Sequence, residues 1–273
     1  MQYDEIFEEL NELYAFYKEV DKYKRIWKEP IKSYTANGKT IYLHTNTANP
    51  FAYSRLTTFL INYYQMTDLP QILDDLTYED LDTTEIYRGE QKARYARNLV
   101  QDEDYHAGGG SFGSGIYTSK TFSYANIYSQ YYDKESTGIC VKYKLMPNTL
   151  MISIDLLKRL QQLIPLYVNG YTSKIENVDI INKEKFYALL NFLKQKGDKD
   201  FTECFIKEIS NALAIYLGYD VRCGTSDEFV IFNRSKLCLS QSEYDYIVKM
   251  AKKEQMKIKQ ETNINNDIKE LEL

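Results

Sequence analysis

The chain has 273 residues, 44% of them hydrophobic and 27% charged, enough to bury one large core or two modest ones and incompatible with long disorder ahead of the C-terminus. Its formal net charge of −5 gives no general attraction to phosphate backbones and argues against a dedicated nucleic-acid binder. The acidic opening MQYDEIFEEL has neither a basic n-region nor an apolar h-region, and no run approaches the roughly 20 apolar residues of a membrane span, so neither secretion nor membrane insertion is expected.

Residues 2–27 carry Tyr3, Ile6, Leu10, Leu13, Tyr17 and Val20 at intervals of three and four, with Glu and Lys between them, and read as a helix with one apolar face. A polar stretch with the turn Asn37-Gly38 leads into TIYLHTN, and Leu56, Phe59, Leu60 and Tyr63 mark a second helix. Leu69-Pro70 restarts the chain into QILDDLTYED, so residues 1–80 read as a helical N-terminal lobe.

From TTEIYRGEQ onward, short β-rich runs follow: EIYRG, SGIYTS, GICVKYKLM with Ile139, Val141, Tyr143 and Leu145 alternating, TLMISI and EFVIFN. Helical patterns are inserted between them, DLLKRLQQLIPLY, KEKFYALLNFLKQKG and FTECFIKEISNALAIYLG, the last ending at Gly218, where a left-handed cap belongs. Residues 81–240 thus form a mixed domain, and 241–273, opened by the capping-box pair Ser240 and Glu243, a polar C-terminal helix. Strict βαβ alternation, a Gly-rich fingerprint after the first strand and a Walker lysine are all missing, which leaves α+β rather than a doubly wound nucleotide fold.

Four cysteines, Cys140, Cys204, Cys223 and Cys238, stand far apart, and His44 and His106 are the only histidines. A zinc site is therefore not expected, and free cytosolic thiols are. Tyrosine occurs 26 times beside abundant Lys, Ile and Asn, a composition that fits an AT-rich bacterial or phage genome; a tyrosine here is informative only through its position.

Three segments could carry chemistry. In YRGEQ, Arg88-Gly89 sets a planar cation beside a backbone that a ligand can approach closely. In HAGGGSFGSGIYTS, Gly108, Gly109, Gly110, Gly113 and Gly115 are five of the chain's 12 glycines; no lysine follows them as in a Walker A loop, and so dense a cluster demands unusual backbone angles or close approach. In GTSDEFVIFNRSKL, alternation would put Glu228 on one strand face with Val230 and Phe232, so the carboxylate's desolvation must be met by a partner. Read singly, these are also a turn arginine, a glycine hairpin and a strand-edge glutamate.

In that order the three segments resemble the ADP-ribosyltransferase superfamily over about residues 84–240. GSGIYTSKTFSYANIY is similar to the poly(ADP-ribose) polymerase pattern Gly-x-Gly-Ile-Tyr with a second tyrosine 11 residues on, here Tyr117 and Tyr128, and DEFVIFNR is similar to that superfamily's glutamate strand. Arg88-Gly89 stands where polymerases carry His-Gly; arginine there is the mark of toxin-like mono-ADP-ribosyltransferases. The resemblance implies a split β-sheet core with inserted helices and NAD as substrate without a metal. It also implies mono-transfer to a macromolecular acceptor, a protein target being favoured over nucleic acid, in a bacterial or phage-infected cytoplasm or after delivery to another cell.

The resemblance further implies catalytic roles for Glu228, Arg88 and Tyr117, and NAD-binding roles for Arg88, Gly89, Gly115, Tyr117, Ser119 and Tyr128. Glu228 would hydrogen-bond the ribose 2′-hydroxyl, Ser119 would orient Glu228, and Tyr117 and Tyr128 would bracket nicotinamide. Two positions depart: Ala125 replaces a serine that contacts the nicotinamide amide, and Ser226 replaces the Glu or Gln two residues before the catalytic glutamate that goes with acceptor choice. NAD hydrolysis and a non-catalytic binding module are the alternatives.

Overall fold

The computed structural model describes residues 8, 10–12, 14–15, 34–36, 39–41, 53–66, 79–80, 84–100, 108–110, 112–130, 138–153, 156–157, 167–168, 171–172, 180–225 and 227–271. In chain order these form β1 (Tyr34–Ala36), β2 (Lys39–Ile41), α1 (Tyr53–Tyr64), β3 (Glu79–Asp80), β4 (Glu85–Glu90), α2 (Ala93–Val100), β5 (Gly108–Gly110), β6 (Gly113–Ser119) and α3 (Phe122–Gln130). Then come β7 (Ile139–Leu145), β8 (Leu150–Ile152), β9 (Tyr167–Val168), β10 (Tyr171–Thr172), α4 (Ile180–Gln195), α5 (Lys199–Tyr216), β11 (Val221–Cys223), β12 (Glu228–Ile231), β13 (Leu237–Cys238) and α6 (Gln241–Leu271). The fold is mixed α+β, as the interspersed helical and β-rich patterns predict. Most of the helix expected over 2–27, most of that expected over 155–167, and His44 and His106 lie outside the described residues.

The chain divides into two compact units, one of Met1–Asp82, His106–Tyr117 and Met146–Lys236, the other of Thr83–Tyr105, Thr118–Leu145 and Leu237–Leu273. The division does not follow chain order: residues 81–240 contribute to both, and the C-terminal helix belongs with β4 and β7.

In the first unit the core is helical on one side, with Phe59, Leu60 and Tyr63 of α1, Phe186, Leu189 and Leu193 of α4, and Phe201, Phe205, Ile209 and Leu213 of α5 all buried. The spacing of the α5 set keeps its members on one face. Asp198 caps α5, accepting from Phe201 N at 2.9 Å. The helix stops as its sequence predicts. Gly218 takes φ +89°, its N–H bonds Ile215 O at 2.9 Å, and Tyr219 N bonds Ala214 O at 3.0 Å, the paired bonds of a Schellman cap. Leu10 and Tyr14, helical residues near the N-terminus, join this core: Tyr14 meets Phe201 edge-on at 4.9 Å.

The strands of this unit pair β12 with β11 antiparallel, β11 with β8 parallel and β8 with β3 antiparallel, while β5 and β6 form a hairpin whose second strand lies beside β12. Asp220, fully buried, ties three strand ends together. Its Oδ2 accepts from Leu150 N at 2.9 Å, its Oδ1 accepts from Asn233 Nδ2 at 2.7 Å, and its main chain bonds Leu150 O, Phe232 N and Asn233 N.

In the second unit β4 and β7 pair antiparallel from Glu85↔Lys144 to Glu90↔Ile139, and β13 extends β7. Alternation puts Ile86, Arg88 and Glu90 on one buried face with Ile139, Val141 and Tyr143. Helix α2 packs on α6, the two burying Ala93, Ala96 and Leu99, and Ile247, Ala251 and Glu254. Glu254 accepts from Arg94 N at 3.0 Å in the first turn of α2, where a carboxylate complements the unpaired amides and helix dipole. The expected capping box of α6 is half formed. Ser240 Oγ accepts from Glu243 N at 3.3 Å, but the Glu243 carboxylate accepts from Lys142 N at 3.4 Å.

Candidate functional site

Gly115, Tyr117 and Glu228 belong to the first unit; Arg88, Gly89, Ser119 and Tyr128 belong to the second. The glycine run makes the β5–β6 hairpin, with Gly108 opposite Gly115 and Gly110 opposite Gly113. Gly113 takes φ +82°, a conformation that a side chain would strain. At Gly115 a side chain would run into Val230, so its smallness lets β6 lie against β12.

The tip of this hairpin is held from several directions. Tyr117 donates its hydroxyl to Gly113 O at 2.6 Å and accepts from Phe112 N at 3.0 Å, and its ring stacks on Phe112 with centroids 6.3 Å apart. Phe112 O accepts from Asn211 Nδ2 at 2.8 Å and from Arg222 Nη1 at 3.3 Å, and Arg222 Nη1 also donates to Asn211 Oδ1 at 3.0 Å. The Arg222 guanidinium lies 5.3 Å from the Phe112 ring centre, within cation–π range. Sequence reasoning missed Arg222, Asn211 and Phe112. The signal was there: an arginine between Val221 and Cys223, and an asparagine inside ISNALAIY, are polar groups in apolar runs that must find partners.

Glu228 opens β12, 8% exposed, and its main-chain oxygen accepts from Gly224 N at 2.8 Å. Among the described residues none hydrogen-bonds or ion-pairs with its carboxylate, and burial pushes its pKa above the ordinary carboxylate value. Such a group accepts strongly from any hydroxyl brought to it and stabilises positive charge nearby. Val230 and Phe232 join the apolar core as alternation predicts, but Phe229 and Ile231 are buried too, so β12 is covered on both faces. Ser226 lies outside the described residues.

In the second unit Arg88 is 9% exposed, and its Nε donates to Glu90 Oε1 at 2.6 Å. Gly89 points to the opposite side of β4, where a side chain would collide with the main chain of Ala125 and Ser129 in α3. Ser119, opposite Tyr87 at the end of β6, accepts from Thr121 N at 3.0 Å and so shapes the entry to α3. Tyr128 is 46% exposed; its ring meets Tyr124 edge-on at 5.7 Å and their hydroxyls lie 3.3 Å apart.

Among the described residues no group of three or more His, Cys, Asp or Glu could hold a metal ion, and no helix is long and apolar enough to cross a membrane. Cys140, Cys223 and Cys238 are free thiols. No protein-family model, curated protein or solved structure matches the chain.

Proposed function

We propose that the chain is an NAD-dependent mono-ADP-ribosyltransferase that moves ADP-ribose from NAD to a macromolecular acceptor, in the first instance a protein, and releases nicotinamide. The observation that carries this reading is Glu228, a desolvated carboxylate without a partner among the described residues, on a strand beside the one that bears Gly115-Ile116-Tyr117. A carboxylate kept in a dry environment at the head of a covered strand costs stability, and a site that must stabilise a cation gives it a use. The same reading takes the α+β fold to be the split-sheet architecture of that superfamily, and the setting to be the cytoplasm of a bacterial or phage-infected cell.

The chemistry follows from the substrate. The bond between nicotinamide and C1′ breaks with its electron pair leaving on the nicotinamide nitrogen, so C1′ and the ring oxygen of the ribose share a positive charge. Glu228 accepts from the 2′-hydroxyl and stabilises that charge more than it does the ground state. Arg88 meets a phosphate oxygen or the adjoining ribose, and Tyr117 and Tyr128 offer rings to the nicotinamide. The acceptor then bonds to C1′ and gives up its proton.

Incubation with labelled NAD and a bacterial lysate, with wild type, Glu228→Ala and Arg88→Ala compared, tests the proposal. Label on a macromolecule with wild type alone supports transfer, and separation of protein from nucleic acid identifies the acceptor class. Free ADP-ribose as sole product makes the protein an NAD glycohydrolase. NAD left intact and unbound overturns both and makes the chain a binding module.

A further inference from the structure

We infer that Glu90 is a positioning residue for Arg88, fixing the guanidinium in the orientation in which it meets the substrate; this rests on the reading of Arg88 as the NAD-phosphate or ribose anchor. The two residues are two apart on β4 and share a face. Their contact is a short charge-assisted bond, Nε to Oε1 at 2.6 Å, between side chains only 10% and 8% exposed.

The layer around the pair is poorly solvated. Opposite Ile86, Arg88 and Glu90 in β7 stand Tyr143, Val141 and Ile139, all buried, and the Tyr143 hydroxyl has no hydrogen-bond partner among the described residues. Burial drives the Tyr143 pKa far up, with the Glu90 charge adding to that and the Arg88 charge opposing it. In such surroundings loss of the Glu90 carboxylate would leave the Arg88 charge less well compensated and let the guanidinium swing toward water or another acceptor, because a poorly compensated buried charge is costly. A guanidinium is planar, so the bond at Nε fixes the direction of the remaining N–H fork. Glu90 thus sets the aim of Arg88 without touching substrate.

The test is equilibrium binding of NAD to the full chain, with melting temperature as a check on folding, for wild type, Glu90→Ala, Glu90→Gln and Glu90→Asp, and for Glu90→Ala combined with Arg88→Lys. Gln keeps an oxygen at the right reach for Nε, whereas Asp is one methylene short and Ala has none. The expected result is an affinity loss of about tenfold or more in Ala and Asp and within about threefold in Gln, the scale of one charge-assisted hydrogen bond. Glu90→Ala should add nothing once Arg88 is lysine. Equal NAD affinity in all folded variants, with only melting lowered, overturns the inference and leaves the transferase reading standing. Wild type that binds no NAD overturns both. If Ala does not fold, the contrast between Gln and Asp decides.

Discussion

Gly89 abuts the main chain of Ala125 so closely that no side chain fits between strand β4 and helix α3. Its sequence context suggests a backbone left bare for a ligand; the geometry shows a backbone left bare for a helix, and Ala125 itself is buried at 3% exposure. Gly89→Ala must push α3 away from the sheet. The expected cost is about 1–3 kcal/mol, the range for overpacking a dense interior, measured by urea unfolding. A variant as stable as wild type would show that α3 yields at no cost.

Tyr117→Phe separates the two jobs of that side chain. The ring, stacked on Phe112, survives the change, while the hydroxyl bonds to Gly113 O and Phe112 N are lost. Two such bonds to main chain predict a loss of about 1–2 kcal/mol in stability. Because the hairpin tip is released, amide hydrogen exchange at residues 112–117 should quicken. If Tyr117 served through its ring alone, the phenylalanine variant would match wild type in both measurements.

Burial raises the folded-state pKa of Glu228 above its unfolded value, so the folded protein holds this proton more tightly than the unfolded chain does. The stabilisation from that proton is present at low pH and lost as pH rises through the folded pKa. Glu228→Gln removes the ionisable group. It should therefore be more stable than wild type at pH 7, with the gap closing as pH falls to about 4, the ordinary carboxylate range. Denaturant midpoints at several pH values read this directly. A glutamine variant less stable than wild type at neutral pH would mean that the carboxylate is charged and well partnered.

Much of this arrangement was legible in sequence because local rules govern it. The stop of α5 at Gly218, the strands β4 and β7 and the glycine hairpin all follow from spacing and residue type. The grouping into units was not legible, since it depends on long-range packing: α6 reads as a free polar helix, yet buries Ile247, Ala251 and Glu254 where it packs on α2. Periodicity shows which face is apolar, not what covers it. Likewise DEFVIFNR reads as part of one resemblance, whereas its Asn233, and Asp220 and Arg222 ahead of it, are buried groups that bond strand ends and a hairpin tip.

Asp220 gives the clearest test of that last point. It is fully buried, Lys236 Nζ is 4.0 Å from Oδ2 with its side chain 18% exposed, and short bonds reach the carboxylate from Leu150 N and Asn233 Nδ2. Asp220→Ala leaves both donors buried without an acceptor, and the loss should reach about 3 kcal/mol or more. Asp220→Asn keeps one oxygen but turns an amide toward one of two donors, so it too should destabilise, by about half as much. Urea unfolding of the pair measures both. Equal, small losses would mean that water replaces the carboxylate; a large loss in Ala with a partial one in Asn would confirm that the strand ends are joined through these two oxygens.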